Sequence, residues 1–82
     1  MTTSATGPKA SWPVLDSKAL GAALRDYRLS AGLTQAQVAR QIGVDRQYVS
    51  ELEQGKETEQ LRRLFAAFKV LGLDLYLIPV SQ

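Results

Sequence analysis

Apolar residues recur at every third or fourth position in four stretches of the chain between residues 16 and 72. This spacing puts them on one face of a helix, so each stretch is predicted to be an amphipathic helix. A residue suited to capping a helix N-terminus precedes each stretch: Asp16, Thr34, Asp45 and Thr58. A glycine, a residue typical of helix ends, follows each one: Gly32, Gly43, Gly55 and Gly72.

A different pattern occupies residues 73–78, where leucines alternate with Asp74, Tyr76 and Ile78. Alternation with a period of two predicts a strand, and Pro79 marks its end. A lone strand has no partner for its backbone hydrogen bonds within a helical domain. We therefore predict that it pairs with the same strand of a second copy, the alternative being an extended tail over the fourth helix. The predicted dimerisation residues are Leu73, Leu75, Tyr76, Leu77 and Ile78.

Residues 1–13 show neither period and contain two prolines and one tryptophan, Trp12. This composition predicts a flexible arm, in which Trp12 either docks on the core or a partner or stays exposed. The predicted organisation is a flexible N-terminal arm over residues 1–15, a helical domain over 16–72, and a dimerisation strand and tail over 73–82.

The composition excludes several classes of protein. The chain has 82 residues and no cysteine or histidine, which excludes a disulfide framework, a Cys/His zinc site and a histidine general base. It has no glycine-rich phosphate loop either, so we predict a protein that is not an enzyme and that uses no cofactor, metal or small-molecule ligand. No apolar run is long enough for a membrane span and no signal peptide is evident, so we expect a cytoplasmic protein with no membrane partner.

A domain this small buries only about 60% of its unfolded surface, so it needs very tight packing or a second chain. The net charge of +2 is too small by itself to indicate a polyanionic partner. The placement of the charges has to decide that question.

The second and third predicted helices form a helix-turn-helix pattern. They are short and are joined by a tight turn at residues 43–45. Ala39 is small enough for the helices to cross closely, and Gly43 tolerates the positive φ that the turn needs. The apolar positions that complete the shared interior are Val38, Ile42, Val44, Val49 and Leu52.

The segments LTQAQVA at residues 33–39, GV at 43–44 and VSELEQGK at 49–56 resemble the lambda-repressor-like (Xre) family of DNA-binding proteins. The resemblance covers residues 17–71 and implies an all-α domain of four to five helices. Residues 71–80 are similar to those of HipB-type antitoxins, which dimerise through a C-terminal strand and bind a HipA-type kinase toxin. The resemblance also implies a structural ion pair between Arg28 and Glu53.

The outward face of the third helix carries the predicted base-reading residues Arg46, Gln47, Ser50 and Glu51. Arginine pairs well with guanine and glutamine with adenine, and a carboxylate accepts from cytosine N4. For Glu51 the alternative is pairing with a nearby arginine, which would only exclude wrong sequences, because phosphates repel a carboxylate. The predicted phosphate contacts are Gln35, Arg40 and Lys56.

These residues lead to a first hypothesis: a homodimeric repressor that binds palindromic double-stranded operator DNA, autoregulates its operon and neutralises a HipA-type kinase toxin. The second hypothesis is a stand-alone Xre-family regulator without a toxin. The third is a protein-interaction adaptor whose strand extends a partner's sheet. The basic residues Lys18, Arg25, Arg62, Arg63 and Lys69 are expected on solvated outer faces, unless some contact the toxin.

Overall fold

The computed structural model describes residues 11–80, and they form four helices and a two-stranded sheet. The helices lie between the two strands in the chain. In chain order the elements are β1 (Trp12–Val14), α1 (Ser17–Ser30), α2 (Gln35–Ile42), α3 (Arg46–Glu53), α4 (Glu59–Leu71) and β2 (Leu75–Leu77).

All four helices begin at the predicted caps. The side chains of Asp16, Thr34, Asp45 and Thr58 each accept a hydrogen bond from a backbone amide in the first turn that follows. At Thr34 the capping box is complete, because Gln37 Oε1 accepts from the Thr34 amide at 2.7 Å. These bonds satisfy amides that would otherwise lack a partner, which explains why the helix starts follow from local sequence.

The core of the described region is small: α1, α2 and α3 meet there, β1 packs on α1, and α4 contributes one buried residue. Its buried apolar residues are Val14, Ala23, Ala39, Val49 and Phe65. The prediction that Ile42 completes the shared interior of the motif is wrong, since its side chain is 57% exposed. Ile42 is the last residue of α2.

Gly21 sets the approach between α1 and α3. A Cβ atom added at Gly21 would lie 2.4 Å from the carbonyl oxygen of Leu52 and 2.6 Å from that of Glu53. Gly55 makes a second close approach, where a Cβ would lie 2.7 Å from Lys18 Cα. Two glycines therefore allow α1 to lie directly against the C-terminal end of α3.

The C-terminal strand has a partner within the chain, contrary to the premise of the sequence prediction. β1 and β2 are antiparallel, with Trp12 opposite Leu77, Pro13 opposite Tyr76 and Val14 opposite Leu75. A flexible arm is likewise wrong for Trp12–Val14, because these residues are a strand and Val14 is buried. Residues 1–10 of the predicted arm lie outside the described residues.

Trp12 docks on the core, which answers the question that the sequence left open. Its ring stands edge-on to Tyr27 of α1, with 6.2 Å between the ring centroids. The Tyr27 hydroxyl donates to the carbonyl oxygen of Leu77 at 3.3 Å, which ties α1 to β2. Such aromatic pairs and cross-strand neighbours stabilise a sheet that is too short to stand alone.

Pro13 makes the two outer edges of the sheet unequal as sites for adding a strand. Proline has no N–H, so Pro13 fits only a position that makes no ladder hydrogen bond to the opposite strand. The outer edge of β1 therefore has no N–H donor at Pro13. Tyr76 stands opposite Pro13, and its N–H and C=O point to the outer edge of β2. The outer edge of β2 is therefore the better one for adding a strand.

The mostly helical fold class predicted from the sequence is confirmed, with four helices over residues 11–80. Over the same residues, no helix combines the length and apolar character that crossing a membrane requires.

Candidate nucleic-acid interface

The α2–turn–α3 unit presents one face of α3 outward. Val49 is buried and Leu52 is half-buried on its inner side. On the other side Arg46 and Gln47 are exposed, and Ser50 and Glu51 are partly exposed. The structure thus brings the four predicted base-reading residues together on one accessible helix face, the recognition face. Their contact with bases stays a prediction.

The ion pair implied by the family resemblance is present between Arg28 of α1 and Glu53 at the end of α3. Arg28 Nε lies 2.5 Å from Glu53 Oε2, and Arg28 Nη2 donates to Glu53 Oε1 at 3.0 Å. The side chains are only 12% and 5% exposed. Arg28 Nη1 also donates to the carbonyl oxygen of Leu33 at 2.8 Å. This bidentate pair joins α1 to the end of α3, and a third bond reaches the loop before α2.

The ion pair also affects the acid–base behaviour of its members. The hydrogen bond from Arg28 lowers the pKa of the Glu53 carboxyl below its ordinary value, although burial acts in the opposite direction. The same bond raises the pKa of the Arg28 guanidinium. Both groups are therefore charged at neutral pH, which keeps the pair intact.

Gln35 connects the ion pair to the recognition face. Its Nε2 donates to Glu53 Oε1 at 3.0 Å, and its Oε1 accepts from Arg46 Nη1 at 3.0 Å. Gln35 was predicted from the sequence to contact a DNA phosphate, and that contact stays a prediction. Its observed role is to hold the guanidinium of Arg46 beside the N-terminus of α2.

The other residues of the recognition face are also hydrogen bonded within the chain. Gln47 Nε2 donates to Glu51 Oε2 at 3.1 Å, and Gln54 Nε2 donates to Ser50 Oγ at 2.9 Å. Lys56 Nζ lies 3.3 Å from Glu51 Oε1. The charged partner of Glu51 is therefore a lysine and not the arginine considered from the sequence. The hydrogen bond from Gln47, followed by that from Lys56, lowers the pKa of Glu51.

The remaining basic residues are exposed, as expected for solvated faces. Arg40 lies on α2, where it stays a predicted phosphate contact. Arg62 and Arg63 of α4 both pair with Glu59, at 2.5 and 2.9 Å.

The predicted dimerisation residues lie in and beside β2. Leu73 and Ile78 are exposed, whereas Leu75, Tyr76 and Leu77 are half-buried. Pairing across a dimer would use the edge of β2 that faces away from β1. It stays a prediction.

Sequence reasoning missed the contributions of Gly21, Gln54 and β1. Gly21 did give a signal, because an isolated glycine within a helical pattern costs about 1 kcal/mol relative to alanine, which a close packing contact would explain. The Ser50–Gln54 bond joins residues one helical turn apart, a spacing at which side chains meet. The part of the chain that the structure describes contains no cluster of acidic side chains able to hold a metal ion.

Comparison with known proteins agrees with this geometry. Residues 19–77 match a family model described as "Helix-turn-helix domain". The chain is 30% identical over 69 residues to the "ImmF control region 10 kDa protein" of Bacillus phage phi105. That alignment covers 84% of this chain and 77% of the phage protein. No solved structure matches the chain.

Proposed function

The chain belongs to the helix-turn-helix domain family, and we propose that it is a sequence-specific transcriptional repressor that binds palindromic operator DNA as a homodimer. The observation that carries the proposal is the recognition face of α3. Four polar side chains able to read bases stand there on one accessible face, and Arg46 is held in place by Gln35. A major groove admits a helix of this kind.

Most of the affinity would come from phosphates. If each protomer neutralises about three or four phosphates, the dimer loses affinity with salt at a log–log slope of roughly −5 to −7. A two-fold dimer would place its half-sites about one helical turn, near 34 Å, apart.

The open edge of β2 supports the homodimer. A strand can pair antiparallel with its own copy about a two-fold axis, which makes the same surface serve both protomers. Tyr76 directs its backbone N–H and C=O to that edge, whereas Pro13 leaves the outer edge of β1 without a donor. The nearby exposed side chains of Leu73 and Ile78 would be covered by such pairing. The small core gives a further reason for a second chain.

The DNA-binding proposal is tested by titrating the protein into a fluorescent duplex carrying the region upstream of its gene, with a scrambled duplex of equal composition alongside. We expect at least about a hundredfold preference for the upstream region. Arg46→Ala should relax that preference. Arg63→Ala is the matched control, because it removes an exposed arginine from α4. Equal weak binding to both duplexes, unaffected by Arg46→Ala, would contradict the repressor proposal and favour the protein-interaction adaptor.

The dimer is tested with Tyr76→Pro, which removes an N–H that points away from β1; it also replaces the tyrosine side chain and fixes φ, so circular dichroism must show that the variant is folded. Analytical ultracentrifugation should show a dimer for the wild type and a monomer for Tyr76→Pro. Tyr76→Ala keeps the N–H and should remain dimeric at high protein concentration. A monomeric wild-type protein, or a dimeric Tyr76→Pro variant, would contradict pairing through β2.

A finer proposal rests on the similarity of residues 71–80 to HipB-type antitoxins: the protein neutralises a HipA-type kinase toxin by binding it. Co-expression with the product of the adjacent gene provides the test. The proposal requires a stable complex and loss of kinase activity within it.

The second candidate is a stand-alone regulator without a toxin. The specific observation in its favour is the relative named for a phage control region. A gene neighbourhood without a kinase-like gene, together with intact operator binding, would favour it over the antitoxin.

A further inference from the structure

Glu51 stands out among the residues of the recognition face because it is acidic and has two partners. One carboxylate oxygen accepts from Gln47 at 3.1 Å, and the other lies 3.3 Å from the ammonium of Lys56. Gln47 is a predicted base reader and Lys56 a predicted phosphate contact. A single carboxylate therefore holds one group of each kind.

The backbone at the end of α3 brings Lys56 to Glu51. Gly55 adopts a left-handed conformation with φ of 82°, and its amide donates to the carbonyl oxygen of Leu52 at 3.1 Å. The amide of Lys56 then donates to the carbonyl oxygen of Glu51, also at 3.1 Å. These two bonds form a Schellman turn that folds the chain back along the helix. The lysine thus starts from a fixed point beside the carboxylate with which it pairs.

Lys56 is a weaker phosphate ligand as long as its ammonium is paired with Glu51. A lysine increases affinity for DNA by neutralising a phosphate and releasing counterions, and an adjacent carboxylate offsets that charge. A carboxylate on the recognition face is also repelled by phosphates unless a base offers it a donor. Cytosine N4 is such a donor, and binding to it would satisfy Glu51 and release Lys56.

Building on the proposed DNA binding, we propose that Glu51 is a specificity-determining residue that holds Lys56 and Gln47 and so weakens binding to non-matching DNA. On a matching operator a base donor such as cytosine N4 forms a hydrogen bond with the carboxylate, and Lys56 moves to a phosphate. On other sequences the Glu51–Lys56 pair persists, and the carboxylate adds repulsion.

The test uses Glu51→Gln, which keeps the shape of the side chain and removes its charge. Anisotropy titrations of the full chain, at several salt concentrations, use the upstream duplex and the scrambled duplex. We expect binding to the scrambled duplex to tighten about tenfold, with a salt slope steeper by about 1.8 per dimer, at about 0.9 for each freed lysine. Affinity for the upstream duplex should change by less than about threefold.

Two controls assign the effect. Glu59→Gln removes the same charge from α4, where Glu59 pairs with Arg62 and Arg63. It should leave the ratio of the two affinities close to that of the wild type. In a Lys56→Ala background, Glu51→Gln should tighten binding to the scrambled duplex much less than it does in the wild type, because only the repulsion by the carboxylate is then removed. Thermal melts followed by circular dichroism establish that each variant is folded.

Four results would overturn the proposal. An equal effect of Glu59→Gln would show that only net charge matters. Tightening by Glu51→Gln that is undiminished in the Lys56→Ala background would exclude the lysine as mediator. Loss of upstream binding with unchanged scrambled binding would make Glu51 a plain base contact. A wild-type protein with no preference for the upstream duplex would overturn the proposed function as well, and the wild-type titrations alone would show that.

Discussion

Gly21→Ala is expected to destabilise the domain, although alanine is the better helix former. Gly21 lies within α1, where its missing side chain leaves room for the carbonyl oxygens of Leu52 and Glu53. Both atoms belong to the backbone of α3, so no side-chain rotation can make room for a methyl group. Relief requires that α1 and α3 move apart.

The size of the effect follows from the distances. A carbon–oxygen contact of 2.4 Å is about 1 Å shorter than an ordinary non-bonded contact. Overpacking of this kind costs about 1–3 kcal/mol, and contact with backbone atoms argues for the upper end. The better helix propensity of alanine returns at most about 1 kcal/mol. The expected net loss is about 2 kcal/mol, or a fall in Tm of about 8–16 °C for a domain of this size.

Urea and thermal unfolding followed by circular dichroism measure this loss directly. Ala22→Gly is the matched control, because Ala22 is exposed at the next position of α1 and its loss should cost only the propensity difference of about 1 kcal/mol. Because α1 and α3 move apart, the Gly21→Ala variant should also bind operator DNA more weakly than the wild type at temperatures where the variant is folded. A Gly21→Ala variant as stable as the wild type would refute the close approach of the two helices.

Variants at three further positions test other parts of the structure. Because the hydrogen bond from Arg28 holds the pKa of Glu53 below its ordinary 4.5, this carboxylate stabilises the fold fully above about pH 4.5 and loses that effect as pH falls through the lower folded pKa. Glu53→Gln should therefore melt at lower temperature at pH 7 and lack this acid dependence in thermal melts. If Tm fell with the same slope against pH in the variant and the wild type below pH 4.5, this role of Glu53 would be contradicted. Trp12→Ala should lower the free energy of unfolding in urea by about 2 kcal/mol, since Trp12 is only half-buried against Tyr27, and a loss too small to measure would argue against docking. Thr34→Ala should cost about 1 kcal/mol in the same assay through loss of the helix cap, whereas Thr34→Ser should be nearly neutral.

The helices could be predicted from the sequence because their signals are local. A cap such as Asp16 or Thr34 acts within three residues, and the apolar spacing acts within one or two turns. β1 could not be predicted in this way, since it has only three residues and a proline at its centre. Its pairing joins opposite ends of the described chain, and the single strand identified in the sequence was assigned to a second copy for lack of this partner.

The candidate site could be predicted in part. The helix pattern identified the outward positions of α3, and the family resemblance supplied the Arg28–Glu53 pair. The partners of individual polar side chains could not be predicted, because they depend on rotamers and on contacts between separate helices. Gln35 illustrates this: its place at the start of α2 suggested a phosphate, whereas the fold puts it between Glu53 and Arg46.

Helix α1 connects the sheet to the recognition helix through two consecutive residues. Tyr27 bonds to the carbonyl of Leu77 in β2, and Arg28 forms the bidentate pair with Glu53 in α3. Successive side chains on a helix point about 100° apart, so one turn of α1 can hold both neighbours at once. If β2 forms the two-fold interface, little flexible chain separates the dimer axis from α3. The spacing of the two recognition helices would then be a property of the folded protomer, which is what a fixed half-site separation requires.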